Sequence, residues 1–235
     1  MNEMKNILIT AHSGCEGTPD NSMESILKGI ELGADCVEID IRMDTDAALW
    51  LTHDVTGDYA NTVSLETALR TIAESGIAVN CDLKEYRTLY PVLEMADSVG
   101  IPRERLIFSG SVDIGLLLKD PEIVRRAQIF LNSEEICRWL VPALPDERPA
   151  HTQYITDNAA KVAEFMRELG VEALNAPYRH TTDAMIAAMR NEGVELSLWT
   201  VNDEEEQVRL MQVDLLNMTT RKAASALRIR REIRG

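Results

Sequence analysis

Hydrophobic positions along this chain fall into short, nearly unbroken runs at residues 7–10, 36–41, 78–83, 106–108, 128–131, 171–174, 194–199 and 213–217. Between them the spacing changes period. Met23/Ile26/Leu27/Ile30, Leu65/Ala68/Leu69/Ile72 and Val162/Phe165/Met166/Leu169 each repeat at i, i+3, i+4, i+7, one apolar face of a helix. Ser22, Ser64, Thr88, Asp157, Thr181 and Thr220 stand where helices would begin, and Gly33, Gly76, Gly100, Gly170 and Gly193 where they would end. Continuous apolar strands suit a parallel sheet covered on both faces. Eight strand-then-helix units predict a closed (β/α)8 TIM barrel, a single domain over residues 1–235, close to the ~250 residues typical of that fold. A doubly wound open sheet is the alternative, but Gly14 and Gly17 stand alone after the first run and make no dinucleotide-binding fingerprint.

Two connections break the rhythm. Residues 44–61 are long for a strand-to-helix link and hold their own apolar segment, 48–51, which marks them as a candidate functional loop. Residues 141–153, rich in Pro and charge, read as a surface loop. A barrel of this kind carries its site at the C-terminal strand ends, so polar residues there come first. They are His12 after the first run, Glu38, Asp40 and Arg42 on the second, Asp82 and Lys84 on the third, then Asn175, Trp199 and Asn217.

Glu38 and Asp40 are two residues apart, which on a strand turns both to one face. If that face is the barrel interior, the two charges must be protonated, paired with a cation such as Arg42 or Lys84, or bound to a metal. Asp82 adds a third carboxylate, or else pairs with Lys84; an oxygen-only set of this kind suits Mg2+ or Ca2+ rather than zinc. The four histidines, His12, His53, His151 and His180, have no zinc-type spacing. His12 and His53 follow apolar runs and either act as acid or base at the barrel mouth or are hydrogen-bonded structural residues. His151 and His180 are placed in loops.

Charge narrows the partners. Against 39 acidic residues there are 24 Lys and Arg, a net charge of -15, which argues against wrapping nucleic acid. The C-terminal cluster Arg221, Lys222, Arg228, Arg230, Arg231 and Arg234 reads as the solvated face of a last helix rather than a membrane anchor. Cys15, Cys36, Cys81 and Cys137 are widely spaced, as reduced thiols rather than a disulfide framework, and Cys15 has no evident base that would make it a nucleophile. Residues 1–6 lead into too short an apolar stretch for a secretory segment, and no run approaches the ~18 apolar residues of a membrane helix. The expectation is a cytoplasmic protein without stable membrane insertion, with room for a homo-oligomer.

The residues also follow an order that resembles a known family. His12-Ser13-Gly14, Pro19-Asp20-Asn21-Ser22, Gly33-Ala34-Asp35, Glu38-Ile39-Asp40, Asp46 and His53-Asp54 resemble the glycerophosphodiester phosphodiesterase family, whose pattern runs His-Arg-Gly, Pro-Glu-Asn-Thr, Gly-Ala-Asp, Glu-x-Asp and His-Asp. The likeness continues through Asp82-Leu83-Lys84, Trp199-Thr200-Val201-Asn202 and Val213-Asp214. It implies a metal-dependent barrel enzyme that hydrolyses a small-molecule phosphodiester, the deacylated headgroup of a phospholipid, to glycerol 3-phosphate and an alcohol. By position it implies Glu38, Asp40 and Asp82 as ligands of one divalent cation, Mg2+ or Ca2+, and His12 and His53 as the acid-base pair. Lys84, Ser13 and Trp199 would then face the substrate. Ser13 stands where the family carries Arg. Either Arg42, Arg87 or Arg179 supplies that cation, or the substrate differs, or the barrel binds a phosphorylated ligand without turnover.

Overall fold

The computed structural model describes residues 7–234, so the expectation drawn from residues 1–6 lies outside the described residues. The chain runs β1 (Leu8–Ala11), α1 (Met23–Leu32), β2 (Cys36–Met43), β3 (Leu49–Leu51), α2 (Leu65–Ser75), β4 (Ala78–Leu83), α3 (Leu89–Ser98), β5 (Leu106–Gly110), α4 (Ile114–Lys119) and α5 (Ile123–Arg126). It continues through β6 (Gln128–Asn132), α6 (Ser133–Leu140), α7 (Arg148–Asp157), α8 (Ala159–Leu169), β7 (Ala173–Pro177), α9 (Asp183–Asn191), β8 (Glu195–Trp199), α10 (Glu204–Met211), β9 (Asn217–Thr220) and α11 (Ala223–Arg234). All strands but β3 pair in parallel, and β1 pairs with both β2 and β9, which closes an eight-stranded barrel ringed by helices.

Two helices bury the stripes that their period predicted: Leu65, Ala68, Leu69 and Ile72 on α2, and Val162, Phe165, Met166 and Leu169 on α8 are buried against the outer face of the barrel. On α1 only Ile26 of the stripe is buried; Met23 and Ile30 are half-buried and Leu27 faces solvent. Ser22 and Ser64 cap α1 and α2 by accepting from Ser25 N and Thr67 N, and Gly33, Gly76 and Gly170 close α1, α2 and α8 in left-handed conformation. Three expected caps move. Asp157 lies inside α7 and Asn158 precedes α8; Thr182 rather than Thr181 caps α9; and Thr220 is the last residue of β9.

The long connection after β2 turns back as an antiparallel hairpin, with Arg42 opposite Trp50. Asp44 holds that turn: its carboxylate accepts from Asp46 N and Ala48 N at 2.9 Å and from Trp50 Nε1 at 2.8 Å. Residues 141–153 are not all loop, because α7 begins at Arg148 and contains the buried His151. Pro149 sits in its first turn, where a missing N–H costs no helical bond.

The last barrel strand also lies later than its apolar run. The run at 213–217 packs Leu215 into the core, whereas β9 is Asn217–Thr220, with Asn217 opposite Leu8 at the bottom of the barrel. Polar side chains fill that floor: Asn217 bonds Thr10 at 2.7 Å and Ser197 at 2.9 Å. Asn217 is therefore a floor residue and not a mouth residue. Buried polar groups are tolerated when each finds a partner, so a strand of Asn, Met and two Thr closes this barrel without an apolar signature. Cys15, Cys36, Cys81 and Cys137 are buried free thiols. Among the described residues no helix is long and apolar enough to cross a membrane. Arg228 and Arg230 of the basic α11 are not solvated freely: they pair with Glu204 and Glu232, and with Asp35.

Candidate active site

At the C-terminal end of the strands a cavity of about 570 Å3 opens, and its lining includes His12, Glu38, Asp40, His53, Asp82 and Lys84. Strand period turns Glu38 and Asp40 inward from β2, where they are 5% and 4% exposed. The parallel register sets Asp40 directly opposite Asp82 on β4. Oxygens of Glu38, Asp40 and Asp82 all lie within 4.8 Å of one another. Lys84, just past the end of β4, reaches back so that Nζ is 2.7 Å from Asp40 Oδ1 and 2.7 Å from Asp82 Oδ2.

A loop from the start of the chain fastens this cluster. Ser13 N donates to Glu38 Oε2 at 2.9 Å, and Asn21 grips Asp40 twice, donating to Oδ2 at 2.8 Å and accepting from the Asp40 N–H at 3.0 Å. Ser13 Oγ in turn accepts from Asn21 N at 2.6 Å. Ser13 is thus 2% exposed and turned into the loop rather than into the cavity. Gly110 at the end of β5 packs so close that a Cβ there would lie 2.0 Å from Asp82 Oδ1, and its φ of 77° favours glycine as well.

Crowding three carboxylates in a low-dielectric pocket separates their acidities. Burial, then the neighbouring Asp40 and Asp82 charges, push the Glu38 carboxyl well above the usual carboxylate range. Burial would raise Asp40 too, but the Lys84 charge and the hydrogen bonds from Lys84 and Asn21 bring it below its ordinary value. Asp82 stays raised because burial outweighs the attraction of Lys84. Lys84, despite burial, is held firmly protonated by Asp82 and Asp40.

His12 follows β1 and its N–H is fixed by Thr220 O at 2.9 Å. Its Nδ1 is 2.7 Å from Ser13 O and 3.7 Å from Glu38 Oε2. A carbonyl partner makes Nδ1 the N–H nitrogen and leaves Nε2 as the acceptor. Burial, aided by the Arg221 charge, holds the His12 imidazole below its ordinary acidity range, so it is neutral near pH 7. His53 comes from the hairpin, is exposed at the rim, and bonds Asp54 Oδ1 through Nδ1 at 2.8 Å. Trp199, at the end of β8, lines the opposite wall.

With all three ionised, the carboxylates would carry two negative charges beyond what Lys84 offsets, and Asp82 Oδ1 is buried without a hydrogen bond among the described residues. The hard oxygen donors and that orphaned atom fit one divalent cation, which would hold the carboxylates in their charged form.

The arginines differ from expectation. Arg42 is taken up by His53 O at 2.8 Å and Glu85, Arg87 by Glu85 and by Met43 O at 2.7 Å, and Arg179 lies over Tyr178; none of them lines the cavity. Arg138, Arg148 and Arg221 do. Arg221 follows β9, its N–H held by Asn202 Oδ1 at 2.8 Å and its carbonyl by Glu16 N at 2.8 Å. Its guanidinium pairs with Asp20 at 3.0 Å beside Gly14, on the His12 side of the mouth. With the last strand placed at 217–220, the strand-end rule would have pointed to Arg221 in the sequence.

Comparison with known proteins agrees with this geometry. Residues 12–104, which contain the carboxylates, both histidines and Lys84, match the model of the glycerophosphoryl diester phosphodiesterase family. The YqiK protein of Bacillus subtilis is 28% identical over 90% of this chain and 93% of its own length. The crystal structure of a glycerophosphodiester phosphodiesterase from Parabacteroides distasonis superposes with a TM-score of 0.75 at 16% identity, covering 99% of this chain and 100% of that one. A phosphodiesterase from Oleispira antarctica, solved with the product sn-glycerol-3-phosphate, superposes at a TM-score of 0.69 and 16% identity, covering 94% and 96% of the two chains. The segment that builds the site thus resembles the glycerophosphoryl diester phosphodiesterase family, and the whole barrel shares the fold of those solved structures.

Proposed function

We propose that this protein hydrolyses glycerophosphodiesters to glycerol 3-phosphate and an alcohol, with one divalent cation held by Glu38, Asp40 and Asp82 and with His12 and His53 as the acid-base pair. The observation that carries this is the convergence of those three carboxylates within 4.8 Å, in a cavity that both histidines line. The product bound in the Oleispira enzyme supports glycerol 3-phosphate as the product here.

When bound, Mg2+ or Ca2+ supplies positive charge against the anionic diester and the charge that develops in displacement. The remaining work belongs to the chain. His12, neutral and with Nδ1 committed to Ser13 O, takes a proton at Nε2 from the attacking hydroxyl or water. His53, oriented by Asp54, delivers a proton from Nε2 to the departing alkoxide. Lys84 keeps Asp40 and Asp82 together and, lining the same cavity, helps bind the phosphate. Arg221 supplies the guanidinium that Ser13 does not, gripping non-bridging oxygens from the other end of the chain. The overall field of a protein with net charge -15 opposes an anionic substrate, so these local cations decide binding. The four free cysteines support a reducing compartment such as the cytoplasm.

Release of glycerol 3-phosphate, followed by a coupled dehydrogenase with glycerophosphocholine, glycerophosphoethanolamine and glycerophosphoserine, tests the proposal. Release with Mg2+ or Ca2+ and its loss in chelator are expected. Ligand binding with no release from any diester would select a barrel that binds without turnover.

A further inference from the structure

Resting on that function, the wall formed by Trp199 and Arg148 points to the class of alcohol that leaves. Trp199 ends β8 and Arg148 begins α7, and the Arg148 guanidinium lies over the Trp199 ring, 5.3 Å from its centroid. Both line the cavity. The indole edge is tied down as well: oriented so that its oxygen and nitrogen are both satisfied, the Asn175 amide accepts from Trp199 Nε1 at 3.2 Å and donates to Ser197 Oγ at 2.8 Å.

The other charges of the lining are paired or already assigned to the phosphate. Lys84 bridges Asp40 and Asp82, and Arg221, beside Asp20, is the cation assigned to the non-bridging oxygens. Arg138 pairs with Glu135 and Asp146 at 2.8 Å, and Glu135 also accepts from Tyr86 Oη at 2.8 Å. Glu134 accepts from Ser133 Oγ at 3.0 Å. The Arg148 guanidinium makes no hydrogen bond or ion pair among the described residues and lies over the indole face. Stacking there holds the planar fork in place while its N–H edge stays open.

We propose that Arg148, stacked on Trp199, is a specificity-determining residue that receives an anionic group on the leaving alcohol, a phosphate or a carboxylate. The same stack disfavours a quaternary ammonium headgroup. An ammonium would seek the electron-rich face of the indole, and the guanidinium already covers it with like charge. Bidentate capture of a phosphate or carboxylate matches the open edge.

The test compares kcat/KM for bis(glycerophospho)glycerol, glycerophosphoserine and glycerophosphocholine in wild type, Arg148→Ala and Arg148→Lys. The expected wild-type preference for at least one anionic diester over the choline diester is tenfold or more, carried mainly by KM. The better of the two anionic substrates tells phosphate from carboxylate. Arg148→Ala brings the ratio to within about threefold of unity while kcat for glycerophosphocholine holds, and Arg148→Lys keeps part of the preference. Calorimetric binding of the same three diesters to His12→Ala, with cation present, reads the preference without turnover. Absence of hydrolysis would overturn the proposed function but leave this binding order to be read. Equal or tighter binding of the choline diester, or a ratio unmoved by Arg148→Ala, would overturn the role of Arg148.

Discussion

Asp40 on β2 stands directly opposite Asp82 on β4 in the parallel register, two carboxylates facing each other across the same rung of the barrel. Like charges so placed repel, and the structure resolves this with Lys84 between them at 2.7 Å from each. Removing one partner of a buried ion pair leaves the others uncompensated. Lys84→Met is therefore expected to lower unfolding stability by about 3 kcal/mol in chelator. Urea titration checks it. Addition of Mg2+ or Ca2+ should recover part of the loss, and a change below about 0.5 kcal/mol would show that Lys84 does not hold the pair together.

The two histidines differ in setting but are assigned to one reaction. General acid-base groups contribute roughly 10^2 to 10^4 in rate, so His12→Ala and His53→Ala are each expected to lower kcat by at least about a hundredfold. Melting temperatures should change little for His53, which is exposed. Near-normal turnover in either variant would remove that residue from the mechanism.

Arg221 reaches the mouth from the loop after the last strand, pairing with Asp20. A hydrogen bond to a charged group is worth about 1.5–3 kcal/mol, and about 1.4 kcal/mol is a tenfold change in affinity. Arg221→Ala should raise KM for glycerophosphodiesters about tenfold or more, with a smaller change in kcat. Steady-state kinetics on one diester decide the matter, and an unchanged KM would place the phosphate elsewhere.

The hairpin that delivers His53 depends on Asp44. Its hydrogen bond from Trp50 Nε1, reinforced by those from Ala48 N and Asp46 N, holds the Asp44 carboxyl below its ordinary value of 3.8. A lowered carboxyl stabilises the fold above that ordinary value, and the contribution is lost as pH falls through the lower folded value. Trp50 also stacks on Tyr59 at 5.6 Å, so its emission reports on the hairpin. The emission should stay native down to pH 3.8 and change only below it. In Asp44→Asn, where an amide N–H would face the indole N–H, the change should already be present at neutral pH.

Much of this architecture is legible in the sequence because burial on both faces of a parallel sheet demands uninterrupted apolar runs, and Ser22 and Ser64 announce their helices. The period of two between Glu38 and Asp40 carries over directly into their shared inward face. What escaped had physical causes. The strand Asn217–Thr220 is polar because it faces a hydrogen-bonded floor, so the apolar run just before it drew the boundary upstream. Arg221 and Arg148 were hidden because long side chains reach the mouth from the loop after β9 and from the start of α7, whose positions depend on closure of the whole barrel. Arg42 and Arg87, nearer the motifs, are consumed by Glu85. Ser13 looked like a gap in a phosphate grip; in the fold it supports Asn21, which holds Asp40.

The most direct measurement counts divalent ions on the metal-stripped protein by calorimetric titration with Mg2+ and with Ca2+, in wild type and in Glu38→Gln and Asp82→Asn. The account predicts one ion per chain in wild type and at least tenfold weaker binding in each variant. No heat of binding at millimolar cation, or binding left unchanged by both substitutions, would contradict it.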